Sequence, residues 1–265
     1  MTTIYDPHHP LYLDEADTRK ELERVYDLCH GCRLCFKFCP SFPTLFSYVD
    51  MHDDQDAGKM TPAQQDHVVD ECFQCKLCYV MCPYIPELHE WALDFPRLML
   101  RADAMRRANG QVSARDKLTT AVMGHTDALG KVATKAGVVS NVVMGAKPGS
   151  LIRKVVEKTA GISSVRMLPP FAKQRFTTWF KKRPQIRLTK SQGDVAVFPT
   201  CLVEYQDPRI GHDLVKVYEH NGVSCSLAGT TNCCGAPYLH SGDMDTFTKV
   251  AAKNISELVK DVRAG

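Results

Sequence analysis

The sequence predicts a mainly α-helical protein that ends in a small α/β segment. Segments with the apolar spacing of amphipathic helices occupy much of the first two thirds of the 265-residue chain. An alternation of strand and helix patterns appears only near the C-terminal end. Net charge and cysteine content change together near residues 110 and 190, which divides the chain into three predicted parts.

The composition excludes several broad classes of protein. Apolar residues make up 44% of the chain, which is enough for hydrophobic cores and excludes global disorder. No long uninterrupted apolar run occurs, so no membrane-spanning helix is predicted. The polar, acidic N-terminal segment lacks the features of a secretory signal, and we therefore expect a cytoplasmic protein with reduced thiols. Twelve cysteines in such a protein indicate metal binding rather than disulfides.

The three parts differ in charge and in cysteine content. Residues 1–100 hold 8 basic and 17 acidic residues, residues 101–190 hold 19 and 4, and residues 191–265 hold 6 and 9. Eight cysteines lie in the first part, none in the second and four in the third. We therefore predict domains at 1–110, 111–190 and 191–265.

The first part contains an internal repeat with an offset of 43 residues. Each copy reads C-x2-C-x2-C-x3-C-P, and the similarity extends to Val25 and Val68 before the two motifs. In this spacing three neighbouring thiolates bind one [4Fe–4S] cluster and the fourth binds the other cluster. The repeat therefore predicts two [4Fe–4S] clusters. The predicted ligands are Cys29, Cys32, Cys35 and Cys82 for the first cluster, and Cys72, Cys75, Cys78 and Cys39 for the second.

Other interpretations of the cysteine repeat are weaker. Zinc sites more often show separated C-x2-C pairs than four cysteines within twelve residues. Disulfides are rare in the reducing compartment that the composition indicates. His30 follows the first cysteine, but the motifs already supply every ligand, so we expect it at the surface or beside a cluster.

The segments around the motifs have helical patterns. Asp14–Leu28 reads as an amphipathic helix that runs into the first motif. Thr61 and Pro62 form a favourable N-cap and first-turn pair for a second helix. Glu87–Ala108 reads as a long helix that is bent or broken at Pro96, and the proline after each motif is expected to end a helix. We therefore predict an α-helical two-cluster domain rather than a β-rich one.

Basic and aromatic residues recur at equivalent positions of the repeat. Arg33 matches Lys76, and Phe36 matches Tyr79. Nearby charge and burial both shift the reduction potential of a cluster. The two basic residues therefore either tune the clusters or are simply solvated, whereas for the two aromatic residues we expect packing.

The sequence of the middle part predicts short helices separated by glycines, with apolar stripes at Val142–Met144 and Leu151–Val156. Its large positive charge has three interpretations. The first is an ordinary solvated surface whose charge offsets that of the acidic first part. The second is docking to an acidic partner or to anionic lipid headgroups, and the third is binding of nucleic acid. No recognition motif is visible, so we expect no nucleic-acid partner.

The last part follows a strand–helix–strand–helix order. Asp194–Phe198 and Val223–Leu227 read as strands, and Asp207–His220 and Asp243–Val262 read as helices. A helix between the two strands indicates a parallel pair with a right-handed crossover. The predicted fold of this part is therefore a βαβα segment.

Three cysteines follow the two predicted strands. Cys201 comes just after the first strand, and Cys233 and Cys234 lie beyond the second. These positions lie at the carboxyl edge, where open α/β sheets bind ligands, and converging thiols suit a soft metal or a cluster. We therefore predict an additional metal, cluster or thiol site there. Cys225 lies inside the second strand and is expected to be a buried apolar side chain.

The order of these motifs resembles a known family. Cys201, followed after 31 residues by Cys-Cys-Gly at 233–235, resembles the first half of the cysteine-rich CCG domain. With the two cluster motifs and Pro83–Arg101, the chain resembles the iron–sulfur subunits of anaerobic glycerol-3-phosphate dehydrogenase, glycolate oxidase and heterodisulfide reductase. The resemblance covers residues 14–110 and 194–265. It implies an α-helical ferredoxin-type domain, then a basic helical connecting region, then a CCG domain.

The chain also departs from the family pattern. In the family the CCG pattern continues to a C-x-x-C, which this chain lacks, and the family members usually carry two such domains. Two strands are also fewer than a stable sheet generally needs. We therefore expect a truncated chain, or a partner that supplies the rest. A further cluster or zinc at Cys201, Cys233 and Cys234 is expected only if the domain is completed.

The resemblance implies an electron-transfer component rather than a stand-alone enzyme. Its two [4Fe–4S] clusters would relay electrons between a flavin-dependent dehydrogenase partner and an acceptor such as quinone or a redox protein. Peripheral attachment to the inner face of the membrane is one option for its location. A second hypothesis is a thiol–disulfide oxidoreductase similar to heterodisulfide reductase, which uses the CCG cysteines. A third is a non-redox scaffold with structural clusters. No nucleophilic triad or nucleotide-binding motif is apparent, so no catalytic residue is assigned.

Overall fold

The computed structural model describes residues 4–184, 193–229 and 233–264. Within these ranges the chain is mostly helical and has one parallel pair of strands, which confirms the predicted fold class. It separates into two compact units. The predicted boundary near residue 190 lies outside the described residues, and the three-domain division stays a prediction.

The first unit comprises the chain up to Asp116 together with Pro237–Asp245. Its helices pack around one apolar core, to which the cysteine motifs are attached. The helices of the motif region are α1 (Glu15–Cys32), α2 (Ser41–Asp50), α3 (Pro62–Asp70), α4 (Leu77–Met81) and α5 (Phe95–Ala108), with a short 3-10 helix at Ala57–Lys59. The most deeply buried residues of this core are Leu22, Val25, Tyr26, Phe42, Leu45, Val49, Ala57, Val68, Leu98, Met99 and Ala102.

The helices that lead into the two motifs, α1 and α3, begin where their capping residues predict. The side chain of Asp14 accepts a hydrogen bond from the Asp17 N–H at 2.8 Å, which starts α1. Thr61 and Gln64 form a reciprocal capping box that starts α3. The predictions of both helices are therefore confirmed.

Two predictions that involve prolines are wrong in part, for one physical reason. No helix covers 87–94, and α5 begins only at Phe95, with Pro96 in its first turn. Similarly, α2 begins directly after Pro40, which occupies its N-cap position. A proline in the first turn sacrifices no helical hydrogen bond, because the first N–H groups of a helix have no partner within it. Only at the second motif does a helix, α4, end before the proline.

The second unit comprises Lys117–Ala236 and Thr246–Gly265. The apolar stripes predicted in the middle part lie on helices, as expected. None of the helices within the described ranges has both the length and the apolar character needed to cross a membrane. The remaining elements of the chain are α6 (Ala114–Gly124), α7 (Thr126–Lys135), α8 (Gly137–Met144), α9 (Leu151–Ala160), α10 (Phe176–Lys182), β1 (Gly193–Val197), α11 (Cys201–Tyr205), α12 (Pro208–His220), β2 (Val223–Leu227), α13 (Ala236–His240) and α14 (Met244–Ala264).

The parallel strand pair predicted in the last part is confirmed. The register of β1 and β2 runs from Gly193 opposite Val223 to Val197 opposite Leu227. A small core of Phe176, Val197 and Val215 packs beside the pair. Cys225 lies in β2 and is partly buried against this core, so the expectation of an apolar packing role agrees with its position.

Candidate functional site

The four cysteines predicted for the first cluster lie around one cavity. Cys29 and Cys32 occupy the C-terminal end of α1, Cys35 follows in the next turn, and Cys82 lies just after α4. Cys82 belongs to the other copy of the repeat, so the chain brings the fourth thiol across as the spacing predicts. The remaining lining residues of the cavity are mostly apolar: Leu28, Leu34, Phe42, Pro83, Tyr84 and Leu93.

The four cysteines predicted for the second cluster are also neighbours. The thiolate charges of Cys39 and Cys75 both act on Cys72. The backbone N–H of Phe73, in the second motif, donates to the sulfur of Cys39 from the first motif. Each predicted set therefore draws its fourth thiol from the other copy of the repeat, although the ligand roles themselves stay predictions.

Burial raises the pKa of six of the eight motif thiols, and neighbouring thiolates add to the effect. The pKa of Cys35 rises to about 12 and that of Cys72 to about 11. The pKa values of Cys29 and Cys78 also rise well above the ordinary value. Several thiolates held this close together require a strongly positive partner, which cluster iron provides.

The donor set fits a cluster better than a single metal ion. Within the described ranges, no three His, Cys, Asp or Glu side chains are arranged to hold one ion. A tetrahedral zinc site needs sulfur atoms only about 3.8 Å apart, given a Zn–S distance of about 2.3 Å. A [4Fe–4S] cluster instead binds each thiolate to a separate iron, so its ligands surround a larger volume. The two motifs are therefore able to hold the predicted clusters.

The repeat is visible in the backbone as well as in the sequence. Arg33 and Lys76, 43 residues apart, both adopt the left-handed conformation, with φ of 53° and 61°. Each lies between the second and third cysteine of its motif, where it turns the chain so that the third thiol follows closely. The two copies differ before this point, because Gly31 lies within α1 whereas Gln74 also has a positive φ of 53°.

A polar network of one buried and two exposed side chains lies at the first motif. His30, which follows Cys29, is only 6% exposed, so it does not lie at the surface, and its ring packs against Phe46. Its ring Nε2 lies 2.8 Å from Asp50 Oδ1, and Arg33 also bonds to Asp50. These hydrogen bonds lower the pKa of Asp50 and keep its carboxylate charged. Sequence reasoning missed Asp50, which offsets the charge of Arg33, whereas Lys76 forms no ion pair among the described residues.

The aromatic residues of the repeat have packing and hydrogen-bonding roles. Phe36 stacks on Phe46 with a centroid distance of 6.2 Å. The hydroxyl of Tyr79 donates to Glu87 at 2.7 Å. Around these motifs several apolar side chains remain exposed, which we call the apolar rim. The apolar rim consists of Leu34, Phe36, Phe73, Leu77, Val80 and Met81, and the exposed thiols of Cys32 and Cys75 lie among them in the sequence.

The second unit brings together the cysteines of the last part. Cys201 begins α11, and its sulfur accepts a hydrogen bond from the thiol of Cys233. Cys233 is only 4% exposed. Cys234 is exposed and lines a small cavity together with Cys201. All three thiols predicted for this site are therefore close together at the end of the strand pair.

Residues that sequence reasoning missed hold this site in place. The Cys233 N–H donates to Asp127 Oδ2 at 2.6 Å, and the Tyr205 hydroxyl donates to the same carboxylate at 3.3 Å. The Asn254 side chain, on α14, donates to the carbonyl of Cys233 at 2.8 Å. Asp127 is one of only four acidic residues between positions 101 and 190, and this was the one feature of the sequence that could have indicated its special role.

The two hydrogen-bonded thiols, Cys201 and Cys233, differ in how readily they lose a proton. The hydrogen bond from Cys233 lowers the pKa of Cys201 to about 7, although burial opposes this effect. The same hydrogen bond raises the pKa of Cys233, because it holds the proton on that thiol. The thiolate is the form that attacks disulfides and binds metals. Within the pair, Cys201 is therefore the thiol that loses its proton more readily, whereas its role as a ligand or nucleophile stays a prediction.

Two families of known domains match the two cysteine-bearing regions. Residues 21–83 match the 4Fe-4S dicluster domain, and residues 195–264 match the cysteine-rich domain named CCG. The chain is therefore an iron–sulfur protein that combines these two domains, and its cofactors are [4Fe–4S] clusters. The family resemblance drawn from the motifs is confirmed.

The similar proteins include a dehydrogenase subunit and a lactate utilization protein. One of the subunits of the anaerobic glycerol-3-phosphate dehydrogenase of Escherichia coli K12 is 29% identical over 157 residues, which are 59% of this chain and 39% of that protein. Lactate utilization protein A 1 of Bacillus mycoides is 36% identical over 63 residues, which are 24% of this chain and 25% of that protein. The chain thus spans about two fifths of the length of the Escherichia coli relative. No solved structure matches the chain.

Proposed function

We propose that the chain is the electron-transfer component of an oxidoreductase, which passes electrons from a flavin-dependent dehydrogenase to quinone or another redox protein. The observation that carries the proposal is the adjacency of the two thiol sets. Cys35 of the first set and Cys78 of the second are close enough for their charges to interact. Two neighbouring [4Fe–4S] clusters supply a path for single electrons.

The residues of the chain have distinct tasks in such a relay. The eight motif cysteines would hold the clusters, and the apolar core beneath them limits access of water on one side. On the other side, Cys32 and Cys75 remain exposed among the residues of the apolar rim. An exposed apolar surface of this kind is typical of a docking site for another protein. The electron donor or acceptor would therefore approach the clusters at the apolar rim.

The names of the relatives support a dehydrogenase partner. One relative is part of a glycerol-3-phosphate dehydrogenase, and another takes part in lactate utilization. Removing hydride equivalents from such hydroxylated substrates requires a cofactor that accepts two electrons and passes them on singly, which flavin does. Peripheral attachment to a membrane would bring the chain close to quinone, and this is part of the proposal.

Redox cycling of the anaerobically purified chain tests the relay. We expect dithionite to reduce both clusters and a water-soluble quinone to reoxidise them, followed by visible absorbance and by EPR of the reduced state. Electron exchange between neighbouring reduced clusters should appear as magnetic interaction in the EPR spectrum. Iron that is present but never changes oxidation state with either reagent would instead identify a structural scaffold and overturn the proposal.

The paired thiols favour thiol–disulfide exchange as a second candidate function. The Cys201 thiolate would attack a substrate disulfide, forming a mixed disulfide and releasing the first substrate thiolate. Cys233 would then lose its proton and attack the sulfur of Cys201, which releases the second substrate thiol and leaves a Cys201–Cys233 disulfide. The two electrons that reduce the substrate come from this cysteine pair.

A disulfide-reduction assay separates the second function from the relay. The reduced chain should reduce one equivalent of a small aromatic disulfide rapidly, and Cys201→Ser should abolish this rapid phase. Cys225→Ser is the control, because Cys225 lies in β2 and takes no part in the pair. Equal rates for the two variants would exclude the exchange reaction and leave the relay untouched.

A further inference from the structure

An open cavity of about 540 Å³ in the second unit is lined almost entirely by basic and polar residues. It lies between α7 and α10 and includes part of the loop before α10. None of the described lining residues is acidic. The residues are Lys131, Thr134 and Lys135 on α7, Lys173, Gln174 and Arg175 before α10, and Thr178 and Lys182 on α10.

The positive charges of this basic cavity are not neutralised within the described part of the chain. Only Arg175 has an acidic partner, Glu204, at 3.4 Å. Glu204 is 3% exposed and also accepts hydrogen bonds from Thr177, so it anchors the start of α10. None of the four lysines forms an ion pair among the described residues. Clustered like charges repel each other, and a bound anion would remove that repulsion.

The wall of the basic cavity also contains a hydroxyl group without a hydrogen-bond partner in the described part of the chain. The hydroxyl oxygen of Thr134 lies in the basic cavity wall, is buried, and has no hydrogen-bond partner within the described ranges. On α7, Lys131, Thr134 and Lys135 have the spacing of one helix face. A ligand in the basic cavity would therefore meet the ammonium groups of two lysines on one side, and lysine and arginine on the other. It would reach the buried Thr134 hydroxyl once that side chain rotates toward the cavity.

We propose that this basic cavity binds the phosphate group of an anionic ligand. Its volume is in the range of small-molecule sites, and lysine, arginine and hydroxyl donors are the usual partners of phosphate oxygens. The phosphate belongs either to a lipid headgroup or to a soluble molecule. Exposed Leu129 and Val132 on the same helix are compatible with a lipid surface. No cysteine lines the basic cavity, and the proposal does not depend on the proposed electron relay.

Binding measurements on the anaerobic holoprotein distinguish the two sources of phosphate. The soluble probes are inorganic phosphate and pyrophosphate, followed by calorimetry. The lipid probe is cosedimentation with vesicles of equimolar phosphatidylcholine and phosphatidylglycerol, compared with vesicles of phosphatidylcholine alone. Binding only to the anionic vesicles would identify a lipid headgroup, and binding of pyrophosphate would identify a soluble ligand.

Two matched triple variants test whether the basic cavity itself is responsible. Each removes three positive charges from exposed lysines of the second unit. We expect the cavity variant to lose about fivefold in affinity for each lysine removed, and the control variant to change little. The cavity variant is Lys131→Gln, Lys135→Gln and Lys182→Gln, and the control is Lys117→Gln, Lys154→Gln and Lys158→Gln.

A third variant tests the cavity without any change of charge. Thr134→Val keeps the shape of the side chain and removes the hydroxyl. It should therefore weaken the binding of whichever probe binds to the unmodified protein. Circular dichroism and the visible absorbance of the clusters verify that each variant is folded. Absence of binding by every probe, or equal losses in the two triple variants, would overturn the proposal.

Discussion

At the scale of single residues, two positions of the repeat have an unfavourable backbone conformation. Arg33 and Lys76 occupy equivalent turns of the repeat with positive φ, which costs a non-glycine residue about 1–2 kcal/mol. The first motif offsets this cost in part, because Arg33 bonds to Asp50 and lies 5.2 Å from the Phe46 ring. Lys76 has no comparable interaction in the described part of the chain.

Replacing Lys76 by glycine should therefore stabilise the protein. Glycine adopts positive φ without steric cost but loses more backbone entropy on folding, so the expected net gain is about 0.5 kcal/mol. Anaerobic chemical denaturation of the holoprotein measures it. Lys76→Ala is the matched control, because it removes the charge and keeps the strain. A glycine variant no more stable than the alanine variant would show that this turn is unstrained.

At the scale of elements, close contacts between helices depend on single glycines. Gly211 on α12 lies against α10, and a Cβ atom there would lie 2.5 Å from the Phe176 ring. Phe176 is fully buried in the small core beside the strand pair. The sequence shows a glycine inside a helical pattern, but only the packing explains why a larger residue is not accommodated.

Gly211→Ala should destabilise the second unit by about 1–3 kcal/mol, because Phe176 must move out of its packed position. Gly137→Ala is the control, since Gly137 is also helical and a Cβ atom there meets nothing within 4 Å. That control should be neutral or slightly stabilising, given the higher helix propensity of alanine. Thermal unfolding followed by far-UV circular dichroism compares the two variants. Similar midpoints for both would contradict the close contact.

At the scale of the whole molecule, the repeat folds into one structure rather than into two independent modules. Cys82 joins the thiols of the first motif, and Cys39 lies near those of the second. Each predicted cluster would therefore connect the two copies of the repeat. With the fourth ligand exchanged as predicted, neither copy of the repeat would hold a complete cluster site alone.

Double cysteine variants measure this exchange of ligands. Cys35→Ser with Cys82→Ser should affect one cluster, so about four iron atoms should remain of the roughly eight in two [4Fe–4S] clusters. Cys78→Ser with Cys82→Ser should affect both clusters and leave less iron. Iron and sulfide analysis after anaerobic reconstitution gives the counts. The reverse order of iron contents would assign each cluster to a single motif.

Local patterns in the sequence were sufficient for the fold class, the cofactor chemistry and several elements. Ligand spacing within twelve residues identifies the [4Fe–4S] motifs, and capping residues identify the starts of α1 and α3. These features depend only on neighbouring residues, so they can be recognised without coordinates. Prolines were less informative, because Pro40 and Pro96 are equally compatible with the end of one helix and the start of the next.

Long-range packing was needed for the remaining features. It brings Asp127 and Asn254 to Cys233, pairs Asp50 with His30, and assembles the basic cavity from two helices and a loop. The partners in each case are separated by many residues, and their proximity follows from how helices pack rather than from any local spacing. Amino-acid order therefore specifies which cofactor this chain binds, whereas packing between distant segments creates the polar surroundings of its cysteines and its candidate phosphate site.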